Sequence, residues 1–218
     1  LDLANVLAKT GQYDEAKKRY QQALESGDYL DLVHFDRATF YEGIGEIDLA
    51  WQEYQRVVET SSNKAWAHAV LAGFLRHIRF YDLAIREYKA ALDIYDRNAL
   101  LYAQLGQTYY DAGQVEKALG AYEKAKVWGN DQFYIRASYG YLLFGLGKVQ
   151  EAIEEYEAAL RIDPYRGEAA LNLGQAYGSA NQAEKAVELY RRMISEPAKF
   201  PSDYVSEAVK RLQRLVGP

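Results

Sequence analysis

The chain has 218 residues, of which 49% are hydrophobic and 26% charged, and it carries a formal net charge of −5 at pH 7. This is the composition of an ordinary globular protein, and it excludes a disordered tail and a collagen-like repeat. A negative net charge without a long basic run argues against nucleic-acid binding, because clustered Lys and Arg neutralise phosphates. The sequence contains no Cys, which excludes disulfides, thiolate metal sites and a cysteine nucleophile.

No stretch approaches the ~20 continuous apolar residues of a transmembrane helix, and the start lacks a signal-peptide pattern, so we expect no direct membrane insertion. The absence of Cys is compatible with a reducing and with an oxidising compartment, and we favour the cytoplasm over the periplasm. The sequence starts at Leu1, within an apolar helical pattern and without Met, which indicates a piece of a longer protein.

Tyrosine recurs at a fixed spacing of 34 residues along the chain. Each of these tyrosines follows an Ala by four residues and precedes a small or apolar residue by three, which is the buried stripe of an α-helix. We call them the tyrosine column: Tyr20, Tyr54, Tyr88, Tyr122, Tyr156 and Tyr190. The repeating unit therefore contains a helix with a constant buried face.

A second helical pattern precedes each of these helices. Its small residues form the small column, which is Ala4, Ala38, Ala72, Gly106, Gly140 and Gly174. Small residues let the neighbouring helix approach closely, so each unit is predicted to be an antiparallel helix pair. The residues between the two helices form the turn column, which is Gly11, Gly45, Arg79, Gly113, Gly147 and Asn181. Gly and Asn suit a left-handed helix C-terminus, and at Arg79 we expect a distorted or strained version of the same turn.

These six in-phase copies resemble the tetratricopeptide repeat (TPR) family. The resemblance is best in the run from Gly147 to Ala152 with Tyr156, Ala159 and Pro164. It implies an all-α fold, a right-handed α-solenoid of antiparallel helix pairs forming a TPR superhelix. The predicted single solenoid, residues 1–200, has repeats at 1–30 (partial), 31–64, 65–98, 99–132, 133–166 and 167–200. Residues 201–218 are predicted to be a C-terminal capping helix, because the last repeat would otherwise expose its apolar side.

The candidate catalytic and metal-binding constellations fail on spacing. His34 and His68 are 34 residues apart and should occupy equivalent packing positions, while His77 stands at no ligand spacing from His68. The carboxylate pair Glu154 and Glu155 is expected on the outward, solvated face of its helix. We therefore predict no enzymatic activity, no cofactor and no metal.

The resemblance implies that the first helix of each pair lines a concave wall. Two columns on this helix vary between repeats, so packing does not determine them. The first variable column is Asp36, Val70, Gln104, Ser138 and Asn172. The second variable column is Asn5, Thr39, Gly73, Gln107, Tyr141 and Gln175. The residues that flank them are Leu32, Phe35, Trp66, Arg76, His77, Leu100, Tyr110, Tyr134 and Phe144. Amides and hydroxyls can hydrogen-bond a peptide backbone, and aromatic rings dominate interface energetics. We expect these residues to form a groove for an extended peptide or a helix of another protein.

One binding mode of the family is disfavoured. Some TPR cochaperones hold the carboxylate tail of heat-shock chaperones with Lys, Arg and Asn side chains. Asn5 matches one of those positions, but the other four are Leu1, Asp36, Trp66 and Val70. Without cations, the charge-assisted hydrogen bonds of such a clamp cannot form, so chaperone C-terminal tails are not expected partners.

The sequence thus predicts a non-catalytic protein-interaction scaffold. Three alternatives stay open at this point. The chain could be the repeat domain of a larger enzyme such as a glycosyltransferase, or a bacterial envelope factor for pilus or polysaccharide-export assembly. It could also self-associate through exposed end repeats.

Overall fold

The computed structural model describes residues 1–129 and 132–217. Regular structure in these ranges consists of thirteen α-helices, without a strand. The helices are α1 (Asp2–Lys9), α2 (Tyr13–Ser26), α3 (Leu30–Gly43), α4 (Ile47–Thr60), α5 (Lys64–His77), α6 (Tyr81–Ile94), α7 (Ala99–Asp111), α8 (Val115–Gly129), α9 (Phe133–Gly145), α10 (Val149–Ile162), α11 (Gly167–Ser179), α12 (Ala183–Ser195) and α13 (Ser202–Val216). The predicted all-α fold is confirmed.

The helices form two compact units, Leu1–Asp96 and Arg97–Pro218. In the first unit α1 packs on α2, α3 on α4 and α5 on α6. In the second unit α7 packs on α8, α9 on α10 and α11 on α12, and α13 packs on α11 and α12. The short connections make each pair antiparallel. The single solenoid over residues 1–200 stays a prediction.

The tyrosine column and the small column meet inside each helix pair. All six tyrosines are buried, and so are the alanines and glycines of the small column. A methyl group added at Gly174 would lie 2.4 Å from Cζ of Tyr190, and one added at Gly106 would lie 2.8 Å from Cδ2 of Tyr122. In these repeats the tyrosine ring thus packs directly on the backbone of the first helix, which explains the requirement for a small residue.

The turn column adopts one conformation throughout. Its six residues have φ between 58° at Asn181 and 80° at Gly11 and Gly45, and Arg79 has φ 65°. At Arg79 the backbone N–H donates to the Arg76 carbonyl at 3.0 Å, and the next N–H, from Phe80, donates to the Leu75 carbonyl at 2.8 Å. Gly45 and the residue after it make the same two bonds. The expectation of a distorted turn at Arg79 is therefore wrong, and only the strained φ remains.

Three repeats contain a hydrogen bond from a basic side chain of the first helix to a Glu of the second, at a separation of 19 residues. These pairs are His34–Glu53 at 2.7 Å, His68–Glu87 at 2.7 Å and Arg136–Glu155 at 2.6 Å. His34 and His68 thus occupy equivalent positions, as predicted. The expectation of a solvated Glu155 is wrong, because only 7% of this residue is exposed and its carboxylate also pairs with Lys126 at 2.8 Å. Its basic partners come from neighbouring helices, and the local pattern of α10 cannot reveal them.

Helix α13 is held by apolar and polar contacts to the last helix pair. Ala208 is fully buried. Arg211 donates from Nη1 to the Leu171 carbonyl at 3.0 Å and from Nε to Glu207 at 3.0 Å. At the start of α13 the Tyr204 ring packs on Gly167, where an added methyl group would lie 2.4 Å from the ring. The C-terminal helix therefore contributes an aromatic ring beside α11.

Candidate functional site

The predicted site residues lie on the first helices of the pairs, which are α1, α3 and α5 in the first unit and α7, α9 and α11 in the second. Within each unit, we call the surface formed by these helices the first-helix face. Each unit has a cavity there, and each cavity gathers some of the predicted residues.

The first cavity, of about 400 Å³, lies between α1 and α3. Its lining is Asn5, Ala8, Lys9, Tyr13, Tyr20, Asp36, Thr39, Phe40, Gly43 and Ile44. The structure thus brings together Asn5, Asp36 and Thr39 of the predicted site. The remaining predicted residues of this unit lie outside the cavity.

A chain of hydrogen bonds crosses the wall of the first cavity. The Tyr20 hydroxyl donates to Oδ1 of Asn5 at 2.5 Å, and Nδ2 of Asn5 donates to Oδ2 of Asp36 at 2.7 Å. Burial, followed by the nearby Asp36 charge, raises the pKa of Tyr20 to about 12. The Thr39 hydroxyl donates to the Asp36 backbone carbonyl at 2.8 Å. Asn5 therefore orients the Asp36 carboxylate. From the sequence we expected an amide that a peptide could bind, whereas both polar atoms of Asn5 already have partners.

Phe35, Trp66 and Val70 are half-buried. The Phe35 ring is 5.3 Å from the Trp66 ring and 6.4 Å from the Tyr54 ring, in edge contacts with both. Val70 packs against the core of the first unit. Packing between repeats thus accounts for the positions of these three side chains, and no ligand is needed to explain them.

Arg76 and His77 lie at the end of α5. Arg76 is half-buried and His77 is exposed. Nδ1 of His77 contacts Oε1 of Glu42, and the Tyr54 hydroxyl donates to the other oxygen of Glu42 at 2.8 Å. Burial, then the Glu42 hydrogen bond and charge, raises the pKa of Tyr54. His77 therefore has a structural partner away from the first cavity.

The second cavity, of about 500 Å³, lies in the second unit. Its lining is Gln107, Phe133, Tyr134, Ala137, Ser138, Tyr141, Tyr165, Arg166, Gly167, Glu168, Ala169, Asn172, Pro201 and Tyr204. Five of these residues, Gln107, Tyr134, Ser138, Tyr141 and Asn172, were predicted from the variable columns and their flanks. The cavity brings them together.

Sequence reasoning missed the other polar and aromatic walls of the second cavity. Tyr165 lies in the turn before α11, and its hydroxyl accepts from Lys199 at 3.0 Å. Tyr204 belongs to α13. Arg166 lies over the Phe133 ring at 5.3 Å, and its Nε pairs with Asp163 at 2.7 Å. A comparison of columns on the first helices cannot find residues from turns and from the last helix.

The polar side chains of the second cavity differ in whether they already make hydrogen bonds. Gln107 accepts from the Tyr122 hydroxyl at 3.2 Å and donates to Asp111 at 2.8 Å. By contrast, the side chains of Tyr134, Ser138, Tyr141 and Asn172 make no hydrogen bond within residues 1–129 and 132–217. Tyr134 is 48% and Tyr141 56% exposed. These four side chains are therefore available to a bound segment.

Tyr156 has an unusual environment among the tyrosine column. The residue is 1% exposed, and its buried hydroxyl has no hydrogen-bond partner in the described part of the chain. Burial, then the nearby Tyr141 and Glu168, raises the pKa of Tyr156. In two other repeats the residue 15 positions earlier, Asn5 or Gln107, accepts from the tyrosine hydroxyl. That position is Tyr141 in this repeat, and it lines the second cavity.

Five predicted residues of the second unit lie outside the second cavity. Gln104 and Phe144 are half-buried, and Leu100 and Gln175 are exposed. Tyr110 is half-buried with its hydroxyl against Gly145, where an added methyl group would lie 2.6 Å from that oxygen.

Across the described ranges, no group of three or more His, Asp or Glu side chains is placed to hold a metal ion. None of the helices described there combines the length and the apolar character that crossing a membrane requires.

Comparison with family models identifies tetratricopeptide repeats along the chain. One model described as a tetratricopeptide repeat matches residues 1–65 and 75–134, and a second matches residues 143–206. A sequence comparison with curated proteins returns no match.

Solved structures share the fold over nearly the whole chain. PilW, described as a widely conserved type IV pilus biogenesis factor, has a TM-score of 0.75 and 14% identity, with 95% of this chain and 96% of that chain covered. Pseudomonas aeruginosa PilF has a TM-score of 0.67 and 18% identity, with 96% and 95% covered. YrrB, described as a TPR protein with an unusual peptide-binding site, has a TM-score of 0.56 and 22% identity, with 88% and 97% covered. At these identities the likeness concerns the fold.

Proposed function

Because the chain belongs to the tetratricopeptide repeat family, whose models match most of its length, we propose that its first-helix face binds a peptide or helical segment of another protein. The fold is that of a protein-interaction scaffold. The second cavity is the single observation that carries the finer proposal. It collects Gln107, Ser138, Tyr141 and Asn172 from the variable columns and Tyr134 from their flank. Within residues 1–129 and 132–217, all of these except Gln107 have side chains without a hydrogen-bond partner.

The chemistry of this cavity suits a polypeptide ligand. Hydroxyl and amide groups both donate and accept, so Ser138 and Asn172 can hydrogen-bond a backbone that passes over them. Tyr134 and Tyr141 offer rings that are half exposed in the free protein. Tyrosine is enriched among the residues that dominate binding energy, because it buries a large area at a small entropic cost. YrrB, with its peptide-binding site, offers a precedent on the same fold.

A double substitution tests the proposal. Replacing Tyr134 and Tyr141 together by Ala should weaken partner binding by more than ~2 kcal/mol, because two ring contacts are lost. The chain serves as bait, captured proteins are identified by mass spectrometry, and the affinity of each for the wild type and the variant is measured by calorimetry. Because both rings are exposed, helicity by circular dichroism should be unchanged.

Tyr95→Ala is the matched control. Tyr95 is 55% exposed and lies after α6, outside the first-helix face. It should leave every affinity unchanged. If the double variant binds each captured protein as tightly as the wild type does, the first-helix face of the second unit is not the binding surface.

Pilus assembly is a second candidate function. The likeness to PilW and P. aeruginosa PilF extends over 95% and 96% of this chain, and PilW is described as a pilus biogenesis factor. The same capture experiment distinguishes this role. Recovery of pilus components favours it, and a partner set without any envelope protein argues against it.

A further inference from the structure

We propose that the second cavity binds an extended, proline-containing segment of the partner protein. This inference rests on the proposed function and names the chemistry of the bound segment. It combines three observations, namely a wall of aromatic rings, the charges beside them and a set of side chains that can donate hydrogen bonds.

The aromatic rings come from three separate elements. Phe133, Tyr134 and Tyr141 belong to α9, Tyr165 lies in the turn before α11 and Tyr204 belongs to α13. The Tyr165 ring is held by an edge contact with Phe200 at 5.6 Å and by the hydrogen bond from Lys199, so its position is defined without a ligand. Grooves lined by aromatic rings bind proline-rich segments, since a polyproline II helix is extended before binding and loses little entropy.

The charge in the second cavity favours an uncharged segment. A set of aromatic rings can also surround a cation. Here, however, Arg166 lies over the Phe133 ring at 5.3 Å and Lys199 over the Tyr165 ring at 4.9 Å, so a further cation would meet like charge at two of the rings. Glu168 supplies the opposite charge on the same wall, which disfavours an anion. A neutral, apolar segment is repelled neither by the cations nor by Glu168.

The polar groups of the cavity that have no hydrogen-bond partner within residues 1–129 and 132–217 can all act as hydrogen-bond donors. Tyr134, Ser138 and Tyr141 have hydroxyl groups, and Asn172 has an amide NH₂ group. Proline has a backbone carbonyl but no N–H group, so a proline-containing segment offers more acceptors than donors. Its carbonyls can accept from these side chains without leaving buried N–H groups unpaired.

Tyr156 adds a donor that has no hydrogen-bond partner within residues 1–129 and 132–217. Its hydroxyl lies near Tyr141 and Glu168, which both line the cavity. Because this oxygen is buried, an acceptor can reach it only when a side chain of the cavity wall moves. Tyr141 is the wall residue that corresponds to Asn5 and Gln107, which accept from the tyrosine hydroxyl in two other repeats. Tyr141 is 56% exposed, so a change of its rotamer meets little resistance. A segment carbonyl then becomes the partner of Tyr156.

The test measures fluorescence anisotropy of two labelled peptides, each with blocked termini and about ten residues, with the full chain. One peptide is polyproline and the other alternates Gly and Ser. We expect polyproline to bind at least tenfold more tightly, because the control is flexible and has an N–H group at every residue. Equal binding of the two peptides, or no binding of polyproline, overturns the proposal.

Three variants assign the binding to the second cavity. Tyr134→Ala should lower the affinity for polyproline at least tenfold. Tyr156→Phe should lower it severalfold while the urea midpoint stays the same or rises, because a buried hydroxyl without a partner is removed. Tyr54→Phe, the matched change in the first unit, should lower the urea midpoint and leave polyproline binding unchanged, because Tyr54 bonds Glu42 there. Unchanged binding by Tyr134→Ala overturns the proposal.

The two proposals can fail separately. If replacing Tyr134 and Tyr141 abolishes capture of the natural partner while polyproline does not bind, the protein-binding function stands and the preference for proline is wrong. If neither the natural partner nor polyproline responds to these substitutions, both proposals are wrong.

Discussion

Arg79 has a backbone conformation that suits Gly or Asn better than Arg. It occupies the left-handed region at φ 65°, where Gly stands in four of the other five turns and Asn in the fifth. The left-handed conformation brings a Cβ close to the following carbonyl and costs about 1–2 kcal/mol. The side chain is exposed, so no packing compensates for this strain.

Arg79→Gly should therefore raise the free energy of unfolding. We expect a gain of about 0.5–1 kcal/mol, because relief of the strain is partly offset by the greater freedom of Gly in the unfolded chain. Urea denaturation followed by circular dichroism measures it. Gly45→Ala is the reciprocal control, since Gly45 has φ 80° and an added methyl group would meet nothing within 4 Å. Gly45→Ala should lower the free energy of unfolding by a similar amount. A lower free energy of unfolding in Arg79→Gly would contradict the role of strain.

At the scale of elements, the distance between paired helices is set by the small column. In the last repeat the Tyr190 ring lies so close to α11 that a methyl group at Gly174 would lie 2.4 Å from it. The ring belongs to a buried residue and has little room to move. Gly178 lies one turn further along α11 and has nothing within 4 Å of an added methyl group.

Gly174→Ala and Gly178→Ala should thus have opposite effects on stability. The first forces α11 and α12 apart and should lower the free energy of unfolding by about 1–3 kcal/mol. The second should raise it by about 0.5–1 kcal/mol, because Ala favours the helix more than Gly does. Thermal denaturation of both variants measures the difference. If the two variants shift the melting temperature in the same direction, contact with Tyr190 does not determine the choice of Gly at position 174.

The sequence was sufficient for the helix pairs but only partly sufficient for the site. Helical periodicity and a 34-residue repeat are local signals, so the tyrosine and small columns could be placed in the core. The second cavity depends on which elements meet in space. Tyr165 and Tyr204 enter it from a turn and from α13, where no column marks them. Trp66, by contrast, looks like a ligand contact in the sequence and packs on Phe35 in the fold.

At the scale of the whole molecule, buried tyrosine makes stability sensitive to alkaline pH. Burial is the largest cause of a raised pKa at Tyr20, Tyr54, Tyr139, Tyr156, Tyr177 and Tyr190. For Tyr20 the pKa rises to about 12. An unfolded tyrosine ionises near pH ~10, so the unfolded chain loses protons first as the pH increases. The stabilisation from the neutral phenols is therefore complete below pH ~10 and is lost above it.

We expect the free energy of unfolding to fall above pH ~10 by about 1.4 kcal/mol per pH unit for each such tyrosine. Phenolate absorbance and helical circular dichroism, recorded in one titration, measure this. The tyrosines whose pKa is raised by burial should ionise only as helicity is lost. Tyr54→Phe, which removes one of these buried phenols, should reduce the absorbance change that accompanies the loss of helicity. Ionisation of all tyrosines in one step, with full helicity, would contradict the expectation.

The tryptophans are distributed unequally between the two units. Trp51 and Trp66 belong to Leu1–Asp96, whereas Trp128 is the single indole of the sequence after position 96. Trp128 is 45% exposed and lies under the Arg97 guanidinium at 5.2 Å. Replacing Trp51 and Trp66 by Phe leaves tryptophan fluorescence from the second unit alone. Replacing Trp128 by Phe leaves it from the first unit alone. Each unit thus has its own intrinsic chromophore, and an unlabelled sample can reveal whether both unfold at the same denaturant concentration.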